Sequence, residues 1–336
     1  MRSLANCSTI RTGIARFAEP TAAASGVIYG LANDANFDSS HLNTGLTEFA
    51  AGVTDRSDLQ TLLDTIAPSV PVGRQFNYHV HNEQAEFLDD SEDDADIRSM
   101  GSEFATVAAT GKRTLGETHN KGLTVLLDND QGGSNPVIQQ RWVSSLTNRL
   151  LRTEIMRTRI LLESAANTTA VNWALAGASP DVDIAAAALR SGNARGTDPT
   201  ICVIGGGAEL IRTQAYGNVD RAQGLPMLLL SMQQRQDLYG VESVVRVRSR
   251  RAGKAAKNKG LVMQNEVYVY NVAKDATTQD ASNIKRFVSP TDQGGFVAVY
   301  VEPILKRTRI SVEHYSSIAL TSPLGIERLN VTYVPA

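Results

Sequence analysis

The chain is short of cysteine, of net charge and of long apolar runs, and each shortage removes a class of protein. Only Cys7 and Cys202 occur in 336 residues. Two thiols so far apart make no disulfide scaffold, and neither sits in a metal-ligand pair. A reducing cytoplasm is the expected compartment. The formal net charge is −2, so nothing drives the whole chain towards nucleic acid or an anionic membrane. No run is apolar and long enough to span a bilayer. Arg11, Arg16 and Glu19 interrupt the N-terminal stretch, so no signal peptide is expected.

Catalytic signatures are equally scarce. There is no Gly-x-Ser-x-Gly elbow and no phosphate-cradling Gly-Lys-Ser/Thr loop. Gly205-Gly-Gly-Ala-Glu-Leu210 follows a strand and opens a helix, but Leu210 stands where a dinucleotide fold needs its third glycine. The plainer reading is a tight turn that needs glycine dihedrals. His79-x-His81 places two imidazoles on one side of a strand, with no third histidine at metal-site spacing. Asp89–Asp96 is intensely acidic, but Asp94 and Met100 occupy the glycine and glutamate places of a calcium loop, so a solvated loop is expected. Cys202 lies in an apolar strand and reads as core. No catalytic residue, cofactor site or metal site is expected.

What is present is a globular composition, 42% hydrophobic and 20% charged, in a chain long enough for two or three subdomains. Its best-signalled element runs from Pro136 to about Ala166. Asn135 caps it, Pro136 takes the first helical position, and Trp142 or Val143, Leu146, Leu150 and Thr153 form an apolar stripe. Residues before about 70 show weak periodicity, with helices expected at Leu42–Ala51 and Leu59–Ile66. They bury little alone and suit an arm that orders against another chain. Gln75–His81 alternates as a strand. A long hairpin is expected over Asp96–Asp130, with strands at Glu103–Val107 and Gly122–Asp128 and a polar tip between. Such a ribbon is marginal alone and needs a surface to lie on. Further on come a helix at Ile184–Ser191, a linker at Asn193–Pro199 and a strand at Thr200–Ile204. Helices follow at Ala208–Tyr216 and Ser231–Tyr239, then strands at Glu242–Val247 and Val262–Asn271. The basic run Arg246–Lys259 has no interleaved aromatic and reads as a loop facing an acidic surface or phosphate. Strands at Gly295–Val301, Ile304–Glu313 and Glu327–Val334 close the chain.

This order of parts resembles the major capsid protein of tailed bacteriophages, the Hong Kong 97-type fold. The similarity is carried by His119-Asn-Lys-Gly-Leu-Thr-Val-Leu-Leu-Asp128, by Gly295-Phe-Val-Ala-Val-Tyr-Val-Glu302 through Tyr315, and by Ser322-Pro-Leu-Gly325. It covers roughly residues 75–336. The resemblance implies an α+β fold in five parts. These are an N-terminal arm (1–74), an extended-loop region with the long β-hairpin (75–131), a peripheral domain with the spine helix (132–195), an axial domain (196–290) and the peripheral domain's closing strands (291–336). It implies a non-enzymatic subunit that forms hexamers and pentamers of an icosahedral shell around double-stranded DNA. The subunit would be assembled in the host cytoplasm and found in the virion, with places for scaffolding, portal and decoration proteins and no membrane. No cleaved scaffolding domain is expected, since 1–74 is short for one; Lys112 and Lys121 lie in the loop region where some family members crosslink, with no partner assigned to either. An encapsulin-like compartment of the same fold and a soluble nucleotide-binding enzyme stay open as alternatives. Intersubunit contacts are expected from Asp89, Asp90, Asp93, Asp94, Glu103, Lys112, Arg113 and Lys121. Further contacts are expected from Arg149 and Arg152, and from Arg246, Arg248, Arg250 and Arg251.

Overall fold

The computed structural model describes residues 41–55, 58–81, 98, 100–101, 103, 112–175, 177–217, 226–252, 259–291 and 296–334. In chain order the elements are α1 (Thr44–Asp55), α2 (Asp58–Ile66), β1 (Ser69–Pro71), β2 (Gln75–Val80), β3 (Lys112–Glu117) and β4 (His119–Asp128). Then follow α3 (Pro136–Ala165), β5 (Asn167–Asn172), α4 (Pro180–Arg195), β6 (Ile201–Gly205), α5 (Gly206–Gly217), α6 (Met232–Tyr239) and β7 (Ser243–Val247). The chain continues through β8 (Arg250–Ala252), β9 (Lys259–Leu261), β10 (Glu266–Tyr270), β11 (Ile284–Ser289), β12 (Ala298–Ile304), β13 (Arg307–Leu320) and β14 (Glu327–Thr332).

Helix α3 begins where its cap dictates. The Asn135 Oδ1 accepts the Val137 N–H at 2.9 Å, and Pro136, lacking an N–H, sits where none is needed. The buried stripe runs through Val143, Leu146, Leu150, Leu151, Ile155 and Leu162. Of the two alternatives at the start of the stripe, Val143 takes the inward place and Trp142 is 37% exposed. One expected member differs. Thr153 faces solvent and its hydroxyl donates to the Arg149 carbonyl at 2.9 Å.

Two five-stranded sheets flank this helix. In the first, β13 pairs β4 along one edge and β11 and β12 in tandem along the other, with β1 parallel to β11. Val143, Leu146 and Leu150 pack there on Val125, Val299, Ile310 and Val312, each large side chain contributing about 1.5–3 kcal/mol by leaving water. The second sheet has the order β5-β14-β10-β6-β7. Strands β6 and β10 are buried throughout, and alternation sends their side chains to two cores. Cys202, Ile204, Val267 and Val269 meet Ile184 of α4, Ile211 of α5 and Tyr239 of α6. Ile201, Val203, Tyr268 and Tyr270 meet Leu63 of α2 and Leu151 and Ile155 of α3.

Three differences from the sequence pattern have physical causes. Residues 44–71 do bury surface within their own chain. Leu46 and Ala50 join the α3 core, Leu63 and Ile66 reach 0% exposure, and Tyr270 donates its hydroxyl to the Ile66 carbonyl at 2.8 Å. Strand β14 lies in the second sheet, away from β12 and β13, because it pairs parallel with β5 and antiparallel with β10. Strand β4, expected to return along a hairpin, pairs instead along one edge with β13, in register from His119↔Ser316 to Asp128↔Arg307; residues 104–107 of the expected outgoing strand lie outside the described residues.

Candidate functional site

The two-stranded ribbon is built from β2 and β3, in register from Gln75↔Glu117 to Val80↔Lys112. The segment expected to be a polar tip is therefore partly a strand. Aromatic packing fixes the root, with the Phe76 ring 4.4 Å and the Tyr78 ring 5.2 Å from that of Phe287. The Arg74 guanidinium lies 4.5 Å over the Tyr315 ring. The ribbon finds its surface on its own chain: the His79 N–H donates to the Thr278 carbonyl at 3.0 Å and the His81 N–H to the Thr321 carbonyl at 2.8 Å. Lys112, Arg113 and Glu103 are exposed, and Leu115 stands in solvent on β3. The far ends of β2 and β3 bracket residues 81–111, which hold the acidic run. Glu103–Val107, apart from Glu103, and Asp89, Asp90, Asp93 and Asp94 lie outside the described residues.

Lys121, expected at a contact between subunits, is committed inside the chain. Its Nζ lies 3.0 Å from Glu154 Oε1 and 3.0 Å from Ser316 Oγ. Glu154 is 1% exposed, on the buried stripe of α3. Arg157 also pairs with it, and His314 Nε2 approaches to 3.9 Å. Burial alone would raise the Glu154 pKa; the His314 contact and the charges of Lys121 and Arg157 outweigh it and hold the carboxyl well below its usual range. Burial lowers the pKa of Lys121 and of His314, against the raising effect of Glu154. This cluster was not anticipated. The signal for it is the fourfold spacing Leu150-Glu154-Thr158-Leu162, which keeps a carboxylate on an apolar row.

Arg149 and Arg152 are exposed on α3, as is Arg141. The basic run proves to be a hairpin, with Arg250↔Leu261 and Ala252↔Lys259 paired. Arg248, Arg250 and Arg251 are exposed there. Arg246 turns inward, 3.6 Å from Glu209 Oε1, which also takes Arg235 at 2.8 Å.

A second unanticipated cluster lies among α4, α5 and α6. Arg212 Nε and Nη2 donate to the two Asp181 oxygens at 2.7 Å each, and the Tyr239 hydroxyl donates to Asp181 Oδ1 at 2.5 Å. Arg212 Nη2 also donates to the Met227 carbonyl at 2.9 Å, and the Asp181 N–H donates to the Tyr216 hydroxyl. Burial pushes the Tyr216 phenol up to about 12.

The glycine run is a packing device. A Cβ on Gly205 would lie 2.7 Å from the Gln264 carbonyl oxygen, and one on Gly207 only 2.4 Å from Asn265 Oδ1. Neither glycine carries a left-handed φ, so close approach, and not dihedral freedom, selects them. The Ala208 N–H at the helix start donates to the Gln264 carbonyl at 2.8 Å, which occupies the place a phosphate would need. His81 Nε2 lies 3.1 Å from the Gln279 carbonyl. Among the described residues no group of three or more His, Cys, Asp or Glu is placed to hold a metal, and no helix is long and apolar enough to cross a membrane. The Cys202 thiol is fully buried, and burial pushes its pKa far up.

No family model matches the chain, and no curated protein is similar to it. Among solved structures it is similar to a phage-related protein from Bordetella bronchiseptica, at 14% identity and a TM-score of 0.65, over 88% of this chain and 99% of that one. Weaker likenesses, too low in score to show a common fold, are to a virus-like particle from Pyrococcus furiosus and to the capsid of the cyanophage P-SCSP1u. The first has 11% identity and a TM-score of 0.48, over 85% and 97% of the two chains. The second has 10% identity and a TM-score of 0.49, over 80% and 87%. The chain thus shares its α+β fold with a phage-related protein.

Proposed function

We propose that the chain is a structural subunit that assembles, as hexamers and pentamers, into an icosahedral shell around double-stranded DNA. The observation that carries this reading is the fold shared with a phage-related protein over 88% of the chain. The second sheet with α4, α5 and α6 would serve as the axial domain, and the first sheet with α3 as the peripheral one; this division moves β5, α4 and β14, which share the second sheet and its core, out of the peripheral ranges 132–195 and 291–336 expected from the sequence. Assembly would rest on many modest contacts made at once, which a closing rotation turns into a stable shell. The acidic run in 82–97 and the exposed arginines of the β8–β9 hairpin have opposite charge and suit each other across subunits. Scaffolding, portal and decoration proteins would be separate chains.

Negative-stain microscopy of the expressed protein tests the reading. Large uniform shells are expected at low salt, loosening as salt approaches about 1 M, where the screening length falls to about 3 Å. Small monodisperse oligomers under every condition would sink it. Shells holding cargo protein and no DNA would point to a compartment instead.

The ribbon supplies a second test. Val80 and Lys112 are directly paired, so a two-residue Gly-Asn turn can replace 81–111 without breaking a strand. The shortened chain is expected to stay a folded, soluble subunit by circular dichroism and to close no stable shell. Normal shells from it would show that the segment has no part in assembly.

A further inference from the structure

The solvent face of α3 carries a row of arginines that form no ion pair among the described residues. Arg141, Arg149 and Arg152 are exposed, with Ser145 exposed and Asn148 half-buried between them. Their spacing of i, i+4, i+7, i+8 and i+11 puts all five on one side of the helix, over about 16 Å. Only two carboxylates occur in α3. Glu154 points into the core cluster, and Glu163 is held by Arg159 at 3.3 Å and Arg328 at 3.0 Å. Among the described residues nothing of opposite charge reaches the three guanidiniums. The exposed apolar residues of the helix, Val137 and Ile160, lie beyond the ends of the row, and Trp142 lies on its flank.

We infer that this face of α3 binds the phosphate backbone of double-stranded DNA, without reading its sequence. Protein interfaces admit arginine but build their centre on apolar and aromatic side chains, and this row contains none, being Arg, Ser and Asn throughout. Arg with interleaved Ser and Asn is the side-chain set that contacts phosphate and sugar, and the guanidinium fork matches phosphate oxygens in pairs. A straight row along a rigid helix follows a duplex edge and offers no aromatic platform for unstacked bases. The inference deepens the proposed shell function by naming the surface that meets the packaged DNA, and rests on that reading for its setting.

The test is the salt dependence of binding to a mixed-sequence duplex of about 30 base pairs, followed by fluorescence anisotropy. Each phosphate contact contributes about 0.9 to the slope of log affinity against log salt. The variant Arg141→Gln/Arg149→Gln/Arg152→Gln should therefore have a slope shallower by about 2.7 than the parent. The parent would lose about 40-fold more affinity between about 50 and 200 mM salt. The matching triple lysine variant should keep the parental slope. So should Arg248→Gln/Arg250→Gln/Arg251→Gln, which removes equal charge elsewhere. Equal slopes for the α3 variant and the parent, or equal losses from both glutamine triples, would overturn the inference. Shells seen by microscopy with an unchanged slope sink the DNA contact alone. A changed slope without shells leaves the contact standing and sinks the shell reading.

Discussion

Replacing Glu154 by alanine should cost the subunit about 3–5 kcal/mol, the range for removing one partner of a buried ion pair. The loss comes less from the missing contact than from what stays behind. Lys121 is itself mostly buried, with Glu154 as its counter-ion, and Ser316 supplies only a neutral oxygen. Arg157 is half exposed and can turn to water; Lys121 has no such escape. Denaturant unfolding of the unassembled protein should show a large fall in midpoint. The double variant Glu154→Leu/Lys121→Met should recover most of it, since an apolar pair of similar volume replaces the charges. A cost under about 1 kcal/mol, as for a surface pair, would show that the cluster is hydrated.

The same cluster sets an acid limit. The folded pKa of Glu154 is depressed, so its contribution is full above the unfolded carboxylate value of about 4.3 and is lost as pH falls through the folded one. The folded pKa of His314 is also depressed, and the unfolded chain therefore binds that proton first. Stability should fall from about pH 6.5 downwards. His314→Gln should flatten the upper part of this decline and leave the lower part, which belongs to Glu154.

The second large effect is expected at Asp181. Its carboxylate takes two hydrogen bonds from Arg212 and one from Tyr239, and both charged side chains are almost wholly buried. Asp181→Ala should cost a similar 3–5 kcal/mol, because it strands the Arg212 guanidinium under the helices. Arg212→Met should cost as much for the opposite reason, leaving a buried carboxylate. Together the two should cost less than their sum, as expected for groups sharing one network. Arg212 also holds the Met227 carbonyl, so either single change should release that backbone to faster hydrogen exchange. Strictly additive losses would mean that the two side chains act independently.

The sequence showed α3 almost to the residue, because Asn135-Pro136 and a fourfold apolar spacing are local signals. Strand β4 was equally plain, but its partner was not. The pairing with β13 joins residues nearly two hundred positions apart, and nothing in His119–Asp128 names its partner. Strand β3 was missed because Lys-Arg-Thr-Leu-Gly-Glu lies half in solvent and lacks the alternation of a covered strand. The short helices α1 and α2 were visible as helices, but their docking onto α3 was not, since propensity says nothing about partners. Of the expected contact residues, Lys121 and Arg246 looked like surface charges. Only the fold shows the carboxylates waiting for them.

Strand β14 has a consequence for timing during synthesis. It is inserted between β5 and β10, and its partner at Asn167 is 160 residues upstream of Glu327. Until the ribosome has made Thr332, β5 has no neighbour and the second sheet stands open at β10. At about 5–20 residues per second, β5 waits seconds for its partner to emerge. A nascent chain therefore cannot present a finished second sheet, and a truncated one never does.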